Sequence, residues 1–401
     1  MAVTVTTGIQ AQGDGIATKR QNIVEAIDAM DPRDIPFLAR KGWGTEAGSV
    51  MSGVDSLSKP CIDTTYTWQN DQLIPYKTTL SSAYAAADGV LAVATDTGVY
   101  FRVGEHLMAA TLGNATVWEI TGINGDSLSV TVLQGDAAHA ASTEVVSMGI
   151  PQIEGRTFNV NARWTPVGTD FNYTQIFNDE VALTGTQQAV EYVGISSPMD
   201  RETMKTFAQL IIRLELAALQ NNRSSAPASP QVRATFGALD YFIRAFDSNG
   251  NVQDAAGVNL SSSGESILKD TLDEAYNRGG NPDVAMMGVF QRRQVNSFLV
   301  PFVRTERSEN TAGVVVGQYE YTYGMVDILL NRYVRKDQVW LLTMDMIGIG
   351  PLKGNGRDRT FQWIDLPKSG DYDARSVIGE YTMEVRNRKD AHALMKNLAV
   401  A

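Results

Sequence analysis

Histidine and cysteine are the side chains that most often carry out catalysis or bind metal ions, and this chain has few of them. The sequence holds three histidines and one cysteine. His106, His139 and His392 lie far apart, with neither an H-x-x-H nor an H-E-x-x-H spacing, so no zinc site is predicted. Cys61 has no second cysteine to bond, and no local signature pairs it with a histidine. We therefore expect the histidines to lie on the surface or to pack, and Cys61 to be buried as a small apolar side chain.

The run from Gly348 to Gly354 is the other segment that could bind a ligand, because glycine-rich loops cradle phosphates. Its sequence, G-I-G-P-L-K-G, fits neither G-x-x-x-x-G-K-[ST] nor G-x-G-x-x-G. Pro351 also lacks the backbone N–H that a phosphate would use. We interpret the run as a loop between strands. There is no G-x-S-x-G elbow either, so the sequence predicts no catalytic residue, no metal and no cofactor, and hence a protein that is not an enzyme.

Composition indicates an ordinary globular protein without a surface for gripping DNA. Hydrophobic residues make up 43% of the chain and the net charge is -11. Proteins that hold DNA through its phosphates need a basic face, and the nearest basic cluster, Arg332, Arg335 and Lys336, is too short to form one. The N-terminus has no signal-peptide pattern, and no stretch approaches ~18 uninterrupted apolar residues. We expect a protein made in the cytoplasm that contacts no membrane.

The first half of the chain alternates between extended stretches and β-rich sequence. Residues 1–22 lack periodicity and are predicted to form an extended arm, and a short helix is predicted from Asn22 up to the prolines that follow it. Residues 62–80 look extended. Residues 84–150 contain short Val- and Thr-rich runs, including Val99–Val103, and an Asn-Gly pair at 124–125 that predicts a hairpin.

The second half begins with the clearest helix of the sequence. Pro198 lies near its start, and acidic residues in the first turn favour the helix dipole. One apolar stripe with helical spacing runs along it: Phe207, Leu210, Ile211, Leu214 and Ala218. From Phe236 onwards helical and strand patterns alternate, so the whole chain is predicted to be α+β.

Several stretches, in this order, resemble the major capsid proteins of tailed bacteriophages, which have the Hong Kong 97-like fold. Each stretch is similar to a segment typical of that family, and together they cover most of the chain. They are Asp34–Leu38 (D-I-P-F-L), Trp68–Leu73 (W-Q-N-D-Q-L), Asn172–Phe177 (N-Y-T-Q-I-F), Leu183–Thr186 (L-T-G-T), Tyr319–Gly324 (Y-E-Y-T-Y-G), Leu330–Arg332 (L-N-R) and Gly379–Asn387 (G-E-Y-T-M-E-V-R-N).

The resemblance implies a division of the chain into the pieces of that fold. These are an N-terminal arm (1–36), the first part of a peripheral domain (37–61), an extended E-loop (62–83 and 151–180), an inserted small all-β module (84–150), the peripheral domain with its spine helix (181–235), an axial domain (236–359) and the last part of the peripheral domain (360–401). The insertion departs from the simplest members of the family.

The resemblance also implies a function and partners. The chain would assemble with itself as hexamers and pentamers into the icosahedral capsid of the virion, enclosing double-stranded DNA without sequence-specific binding. A portal protein and a separate scaffolding protein are implied partners, because no long charged N-terminal extension resembles a built-in scaffold. A decoration protein is a further candidate partner.

Residues at contacts between subunits are predicted from their types and places, because aromatic side chains and arginine are favoured at the cores of interfaces. The candidates are Trp68, Arg163, Trp164, Tyr173 and Phe177 in the E-loop, and the mixed-charge stretch with Arg304, Glu306 and Arg307. The alternative for the first group is packing inside the base of the loop, and for the second a solvated loop.

Besides an enzyme without a recognisable motif, against which the empty motif search argues, two other functions stay open at this stage. One is the shell of a cellular nanocompartment with the same fold, which would enclose a cargo enzyme and no genome. The other is a phage tail or decoration protein that binds a surface through the β-rich segment.

Overall fold

The computed structural model describes residues 35–43, 54–71, 73–111, 114–152, 154, 165–190, 197–225, 234–245, 251–261, 265–299, 317–321, 324–368 and 370–400. The predicted arm and the helix predicted from Asn22 lie outside these residues, apart from Ile35 and Pro36. The chain forms two compact units, one from residues 1–68 and 170–401 and one from residues 69–169.

Helices and strands alternate along the described residues, which fits the predicted α+β class. In chain order they are α1 (Pro36–Arg40), β1 (Thr65–Asn70), β2 (Lys77–Thr79), β3 (Val90–Ala92), β4 (His106–Thr111), β5 (Asn114–Asn124), β6 (Ser127–Gln134), β7 (Glu144–Gly149), β8 (Gly168–Tyr173), β9 (Gln175–Thr184), α2 (Gly185–Ala189), α3 (Pro198–Gln220), α4 (Leu239–Arg244), β10 (Val252–Asp254), α5 (Glu265–Asn277), β11 (Val284–Met287), α6 (Val289–Leu299), β12 (Gln318–Tyr321), β13 (Gly324–Leu330), β14 (Val339–Leu342), β15 (Ile347–Pro351), β16 (Lys353–Gly354), β17 (Arg357–Asp358), β18 (Gln362–Asp365), β19 (Tyr372–Val385) and β20 (Ala393–Lys396).

The long helix α3 confirms the helix predicted from the apolar stripe. It begins after Ser197, whose hydroxyl accepts a hydrogen bond from the backbone N–H of Asp200 at 3.4 Å, and Pro198 occupies the first turn. All five residues of the predicted stripe are buried. They pack in one core with residues of β19 and of the sheet that contains β11 and β14. The helix is therefore held by burial of one face, as its periodicity predicts.

Two sheets of the first unit are built around this core. Strand β19 is the centre of one sheet: β9 pairs with it over ten residues on one side, and β15 and β18 pair with successive parts of its other side. The other sheet has the order β10-β20-β14-β11-β13-β12. Its central strands β11 and β14 are buried at every residue, because alternate side chains enter two different cores.

The second unit contains a six-stranded antiparallel sheet in the order β2-β7-β4-β5-β6-β3. The two outer strands also meet each other, through a bridge between Leu80 and Val93. Two backbone hydrogen bonds of 2.9 Å flank that bridge, from Ser81 to Ala92 and from Ala94 to Thr79. The sheet is thus closed, and it surrounds its own apolar core, whose largest member is Trp118.

The hairpin predicted at Asn124-Gly125 is confirmed, since β5 and β6 pair up to Asn124 and Ser127. The strand predicted over Val99–Val103 is wrong, because Gly98–Tyr100 form a 3₁₀ turn. The carboxylate of Asp126 holds that turn by accepting hydrogen bonds from the backbone N–H of Asp96 (3.0 Å) and of Gly98 (3.1 Å). These bonds lower the pKa of Asp126. Local hydrogen bonding has overridden the β propensity of the valines.

The interpretation of the glycine-rich run as a loop is also wrong, since Ile347–Pro351 form a fully buried strand. The glycines are there because another stretch of backbone crosses close to them. A Cβ atom on Gly348 would lie 2.8 Å from the carbonyl oxygen of Ser56, and one on Gly350 would lie 2.8 Å from the side chain of Leu57. The glycines therefore allow the segment around Ser56 to pack closely against this strand. The N–H and the hydroxyl of Ser56 both donate hydrogen bonds to the carbonyl oxygen of Ile349.

Replacing Gly348 with alanine is expected to destabilise the first unit by about 1–3 kcal/mol, because the added methyl group would push the Ser56 backbone away. Urea unfolding followed by tryptophan fluorescence measures the loss. Gly324→Ala is the matched control, since a Cβ there meets nothing within 4 Å. Equal stability of the two variants would contradict the close-packing explanation.

Candidate assembly site: the roots of the arm and the ribbon

Residues 35–43, here called the arm root, are anchored in the core of the first unit by their side chains. Phe37, Leu38 and Trp43 are almost completely buried in the core that contains α3. The ring of Trp43 lies 6.1 Å from that of Tyr381 in β19. The burial of three large apolar side chains within nine residues fixes the point from which the preceding chain starts.

A buried carboxylate accepts hydrogen bonds from the first turn of the short helix in the arm root. Helix α1 has no side-chain cap of its own. Glu215, fully buried on α3, accepts hydrogen bonds from the backbone N–H of Phe37 (3.0 Å) and of Leu38 (2.9 Å). The same carboxylate accepts a bond of 2.7 Å from the side-chain amide of Asn331, which follows β13. The carboxylate of Glu215 therefore joins the arm root, helix α3 and the sheet that contains β13.

Two basic residues hold the arm root from its more exposed side. Arg40 forms an ion pair of 2.5 Å with Asp327 on β13. The ammonium of Lys41 donates to the carbonyl oxygen of Met344 at 2.6 Å. Burial lowers the pKa of Lys41, although Asp345 and Asp283 oppose this shift.

The second root, here called the ribbon root, is the part of the paired strands β1 and β8 that belongs to the first unit. Its centre is Asn172, which is completely buried. Its amide nitrogen donates to the carbonyl oxygens of Gly237 (3.0 Å) and Met383 (2.7 Å). Its carbonyl oxygen accepts from the backbone N–H of Gly237 (2.7 Å) and of Tyr173 (3.0 Å). One amide side chain thus ties β8 to β19 and to the loop before α4.

Two arginines stack on aromatic rings beside Asn172. The guanidinium of Arg223 lies 4.1 Å from the ring centre of Phe171 and donates to that residue's carbonyl oxygen at 2.7 Å. Arg388 lies 5.5 Å from the ring of Phe242 and pairs with Asp170 at 2.6 Å. Stacking and charge-assisted bonds of this kind hold planar groups in one orientation. They hold Asp170 and Phe171 of β8 in place within the first unit.

Strand β19 supplies a buried polar row next to the ribbon root. Glu380, Thr382 and Glu384 alternate with apolar residues and are all nearly inaccessible to solvent. Glu380 accepts a hydrogen bond of 2.6 Å from the hydroxyl of Thr174. Glu384 accepts from the N–H (3.0 Å) and the hydroxyl (2.7 Å) of Ser58. The G-E-Y-T-M-E-V segment therefore binds the strands and loops that flank the ribbon.

The structure places three of the predicted contact residues in or near this root. Trp68 packs edge-on against Phe242, with ring centres 5.6 Å apart, and is 5% exposed. Phe177 is 7% exposed and faces Phe236 and Phe361. Tyr173 is half-buried, its ring 5.5 Å from that of Phe171. Trp68 and Phe177 thus pack within their own chain. Arg163, Trp164, Arg304, Glu306 and Arg307 lie outside the described residues.

Sequence reasoning did not single out Glu215, Asn172, Arg223 or Arg388. Glu215 interrupts the apolar stripe of α3, and a carboxylate at a buried helical position is a sequence signal that could have found it. Asn172 was noted only as part of a stretch that resembles the capsid family, because most of its hydrogen-bond partners lie far away in the sequence.

The histidines and the cysteine serve packing in this fold. Cys61 is buried, and burial raises its pKa to about 11, which keeps the thiol protonated. His139 lies inside the closed sheet, 2.9 Å from the hydroxyl of Thr116, and burial lowers its pKa. His392 is completely buried and accepts a hydrogen bond of 3.3 Å from the N–H of Thr343. His106 is half-buried on β4.

The stability of the first unit is expected to fall on acidification through His392. Burial lowers the pKa of His392 to about 4 from an ordinary 6.5, and the ammonium of Lys41 adds to the effect. Between these values the unfolded chain binds a proton that the folded chain does not, so the free energy of unfolding decreases as pH falls from 6.5 to 4, by about 3 kcal/mol.

Urea unfolding of the wild-type protein and of His392→Gln at several pH values between 4 and 7.5 isolates this contribution. The variant is expected to have a flatter pH dependence in that window, because it has lost the titrating group. The same slope in both proteins would rule out His392 as the source.

The part of the chain that the structure describes meets the requirements of neither a metal site nor a membrane-spanning helix. Within the described ranges, no group of three or more His, Cys, Asp or Glu side chains is placed to hold a metal ion. None of the helices in that part of the chain is long and apolar enough to cross a membrane.

One protein family matches nearly the whole chain. The sequence profile of a family described as SU10 major capsid protein matches residues 3–399. No curated protein sequence is similar enough to count as a relative.

Solved structures similar to this chain include two phage assemblies and an encapsulin complex. The capsid of cyanophage A-1(L) is 12% identical, with a TM-score of 0.43, covering 62% of this chain and 85% of that one. The procapsid of satellite phage P4, which includes a size determination protein, is 11% identical, with a TM-score of 0.41 and coverages of 63% and 80%. The SrpI encapsulin of Synechococcus elongatus PCC 7942 is 11% identical, with a TM-score of 0.38 and coverages of 58% and 77%.

Proposed function

The chain belongs to the SU10 major capsid protein family, and from this premise we propose that it assembles as hexamers and pentamers into the icosahedral shell of a tailed phage. The predicted family resemblance and the Hong Kong 97-like fold class are confirmed by a family match that spans nearly the whole chain. The protein is a structural component of the virion capsid. This match, rather than any single side chain, carries the functional conclusion.

The two roots support a role in assembly. Rings and shells arise when different surfaces of identical chains fit each other and close by rotation. Segments that reach a neighbouring subunit need a fixed starting point, because a lone two-stranded ribbon is only marginally stable in water. The buried bonds of Glu215 and Asn172 supply such starting points for the arm and for the ribbon.

The domain boundaries inferred from the family resemblance fit this role and are part of the proposal. We assign residues 1–36 to the arm, 62–83 and 151–180 to the E-loop, and 84–150 to an inserted module. Residues 181–235 and 360–401, with 37–61, form the peripheral domain, and 236–359 form the axial domain.

Contacts between subunits are proposed for the exposed parts of the ribbon and for the 304–307 stretch. Trp68 and Phe177 would then act from inside the chain, by shaping the base of the ribbon, while Tyr173 keeps part of its ring accessible. Arg163, Trp164, Arg304, Glu306 and Arg307 remain candidates because of their charge and aromatic character.

Partners and the absence of catalysis complete the proposal. A portal protein, a separate scaffolding protein and a decoration protein are the expected partners, and the enclosed double-stranded DNA is confined without sequence-specific binding. A net charge of -11 supports confinement rather than gripping, since phosphates repel an acidic surface. We propose no enzymatic activity.

Assembly of the purified protein tests the proposal. The protein is concentrated alone and with its scaffolding protein, and the products are viewed by negative-stain electron microscopy. Closed shells, tubes or rings of five and six subunits are the expected result. A uniform monomer under every condition, with scaffold present, would overturn it. Shells that carry a host enzyme instead of a genome would favour the nanocompartment alternative.

A further inference from the structure

We infer that Glu215 is a positioning residue for shell assembly, because it fixes the root of the N-terminal arm. The inference rests on the proposed function, in which the arm reaches neighbouring subunits. It concerns only the described arm root, residues 35–43, and the groups that hold it.

The chemistry of the contact sets Glu215 apart from the other residues around the arm root. Phe37 and Leu38 contribute apolar burial, which is strong but lacks direction. The two bonds from their backbone N–H groups to Glu215, at 3.0 and 2.9 Å, are charge-assisted and directional. They fix the axis of α1 relative to α3.

Among the described residues, Glu215 is the side chain that accepts hydrogen bonds from the first turn of α1. Ile35, the N-cap residue of α1, makes no side-chain capping bond. Glu215 is completely buried, so water does not reach the N–H groups of Phe37 and Leu38 at its position. Losing the carboxylate would leave those two donors without their acceptor, and the amide of Asn331 would keep a weaker bond of 3.5 Å to the sulfur of Met286. The arm root would then be held by side-chain packing and by its outer contacts alone.

The outer contacts give a second, milder way to loosen the same segment. Arg40 pairs with Asp327 at 2.5 Å with its side chain 47% exposed. Removing it opens no hole in the core, so the protein will fold. If the position of the arm root matters for assembly, Arg40→Ala must act in the same direction as a change at Glu215, with a smaller effect.

The test combines local hydrogen exchange with assembly, using the full-length protein. Three variants are compared with the wild type: Glu215→Gln, Arg40→Ala and, as a control, Leu272→Ala. Leu272 lies in a separate core cluster that contains no arm-root residue. Its replacement lowers global stability without touching the arm root. Amide hydrogen exchange is measured in peptides from the arm root and from β19. Assembly is measured as the fraction of closed shells.

Glu215→Gln is expected to raise exchange at Phe37 and Leu38 at least about tenfold, with β19 still protected, and to reduce the fraction of closed shells. Arg40→Ala is expected to raise the same exchange about two- to fivefold, with a smaller loss of closed shells. Leu272→Ala is expected to lower the thermal midpoint while arm-root exchange and shell closure stay near wild type.

The outcomes separate this inference from the proposed function. If the wild type forms no shells, the proposed function fails. If the wild type assembles and Arg40→Ala and Glu215→Gln raise arm-root exchange but close shells normally, the positioning role is overturned. Should Glu215→Gln not fold, Arg40→Ala decides alone, and unchanged closure with raised exchange overturns the inference.

Discussion

Replacing Asn172 with alanine is expected to lower the free energy of unfolding of the first unit by on the order of 4 kcal/mol. The side chain makes four hydrogen bonds in a site that solvent does not reach. Its loss would leave the N–H of Gly237 and the carbonyl of Met383 buried without these partners, and each such group costs about 1–3 kcal/mol. Urea unfolding at neutral pH measures the change.

Asn178→Ala is the matched control for this prediction. Asn178 lies on β9, is exposed, and accepts one bond of 2.6 Å from the hydroxyl of Ser376. The control is expected to change stability by less than about 1 kcal/mol. A loss at Asn172 no larger than that at Asn178 would mean that the amide does not hold the ribbon root.

Replacing Phe361 with alanine is expected to cost about 3–5 kcal/mol. Its ring is 3% exposed and lies within an aromatic cluster, with centre-to-centre distances of 5.0 Å to Tyr381, 5.7 Å to Phe207, 6.2 Å to Trp43 and 6.3 Å to Phe177. The cavity left by the ring would lie where β19, helix α3 and the arm root meet. Thermal unfolding followed by near-ultraviolet circular dichroism reports both stability and loss of aromatic packing.

Trp363→Ala provides the comparison for Phe361. Trp363 is the larger side chain and stands two residues further along, but it is 41% exposed on the outer strand β18. Its removal is expected to cost far less, because about two fifths of the residue's surface already contacts water. If both changes cost the same, the burial argument for Phe361 is wrong.

The sequence predicted the elements whose residues repeat with a clear period. The stripe of α3 and the Asn-Gly hairpin at β5–β6 are local patterns, and local geometry suffices to produce them. The strand at Ile347–Pro351 was missed because its glycines serve a neighbouring backbone that lies almost 300 residues earlier in the chain. A single sequence carries no record of such a neighbour.

The same limit applies to the candidate site. Glu215 lies 178 and 177 positions after Phe37 and Leu38, whose N–H groups it binds, and 116 positions before Asn331. The sequence marks Glu215 only as a charge within an apolar face. Trp68 and Phe177 were selected for their aromatic character, which favours interface cores and protein interiors alike, and their burial becomes visible only in the fold.

The bridge between Leu80 and Val93 has a consequence for a protein that exists in many copies side by side. A shell holds many copies of the chain close to one another, so that weak attractions between them act at a high effective concentration. A sheet with two free outer strands would offer backbone groups that pair with any neighbouring strand and crosslink subunits in the wrong register. Because the bridge between Leu80 and Val93 pairs the ends of β2 and β3 with each other, the backbone groups at that place are not open to a strand of a neighbouring subunit.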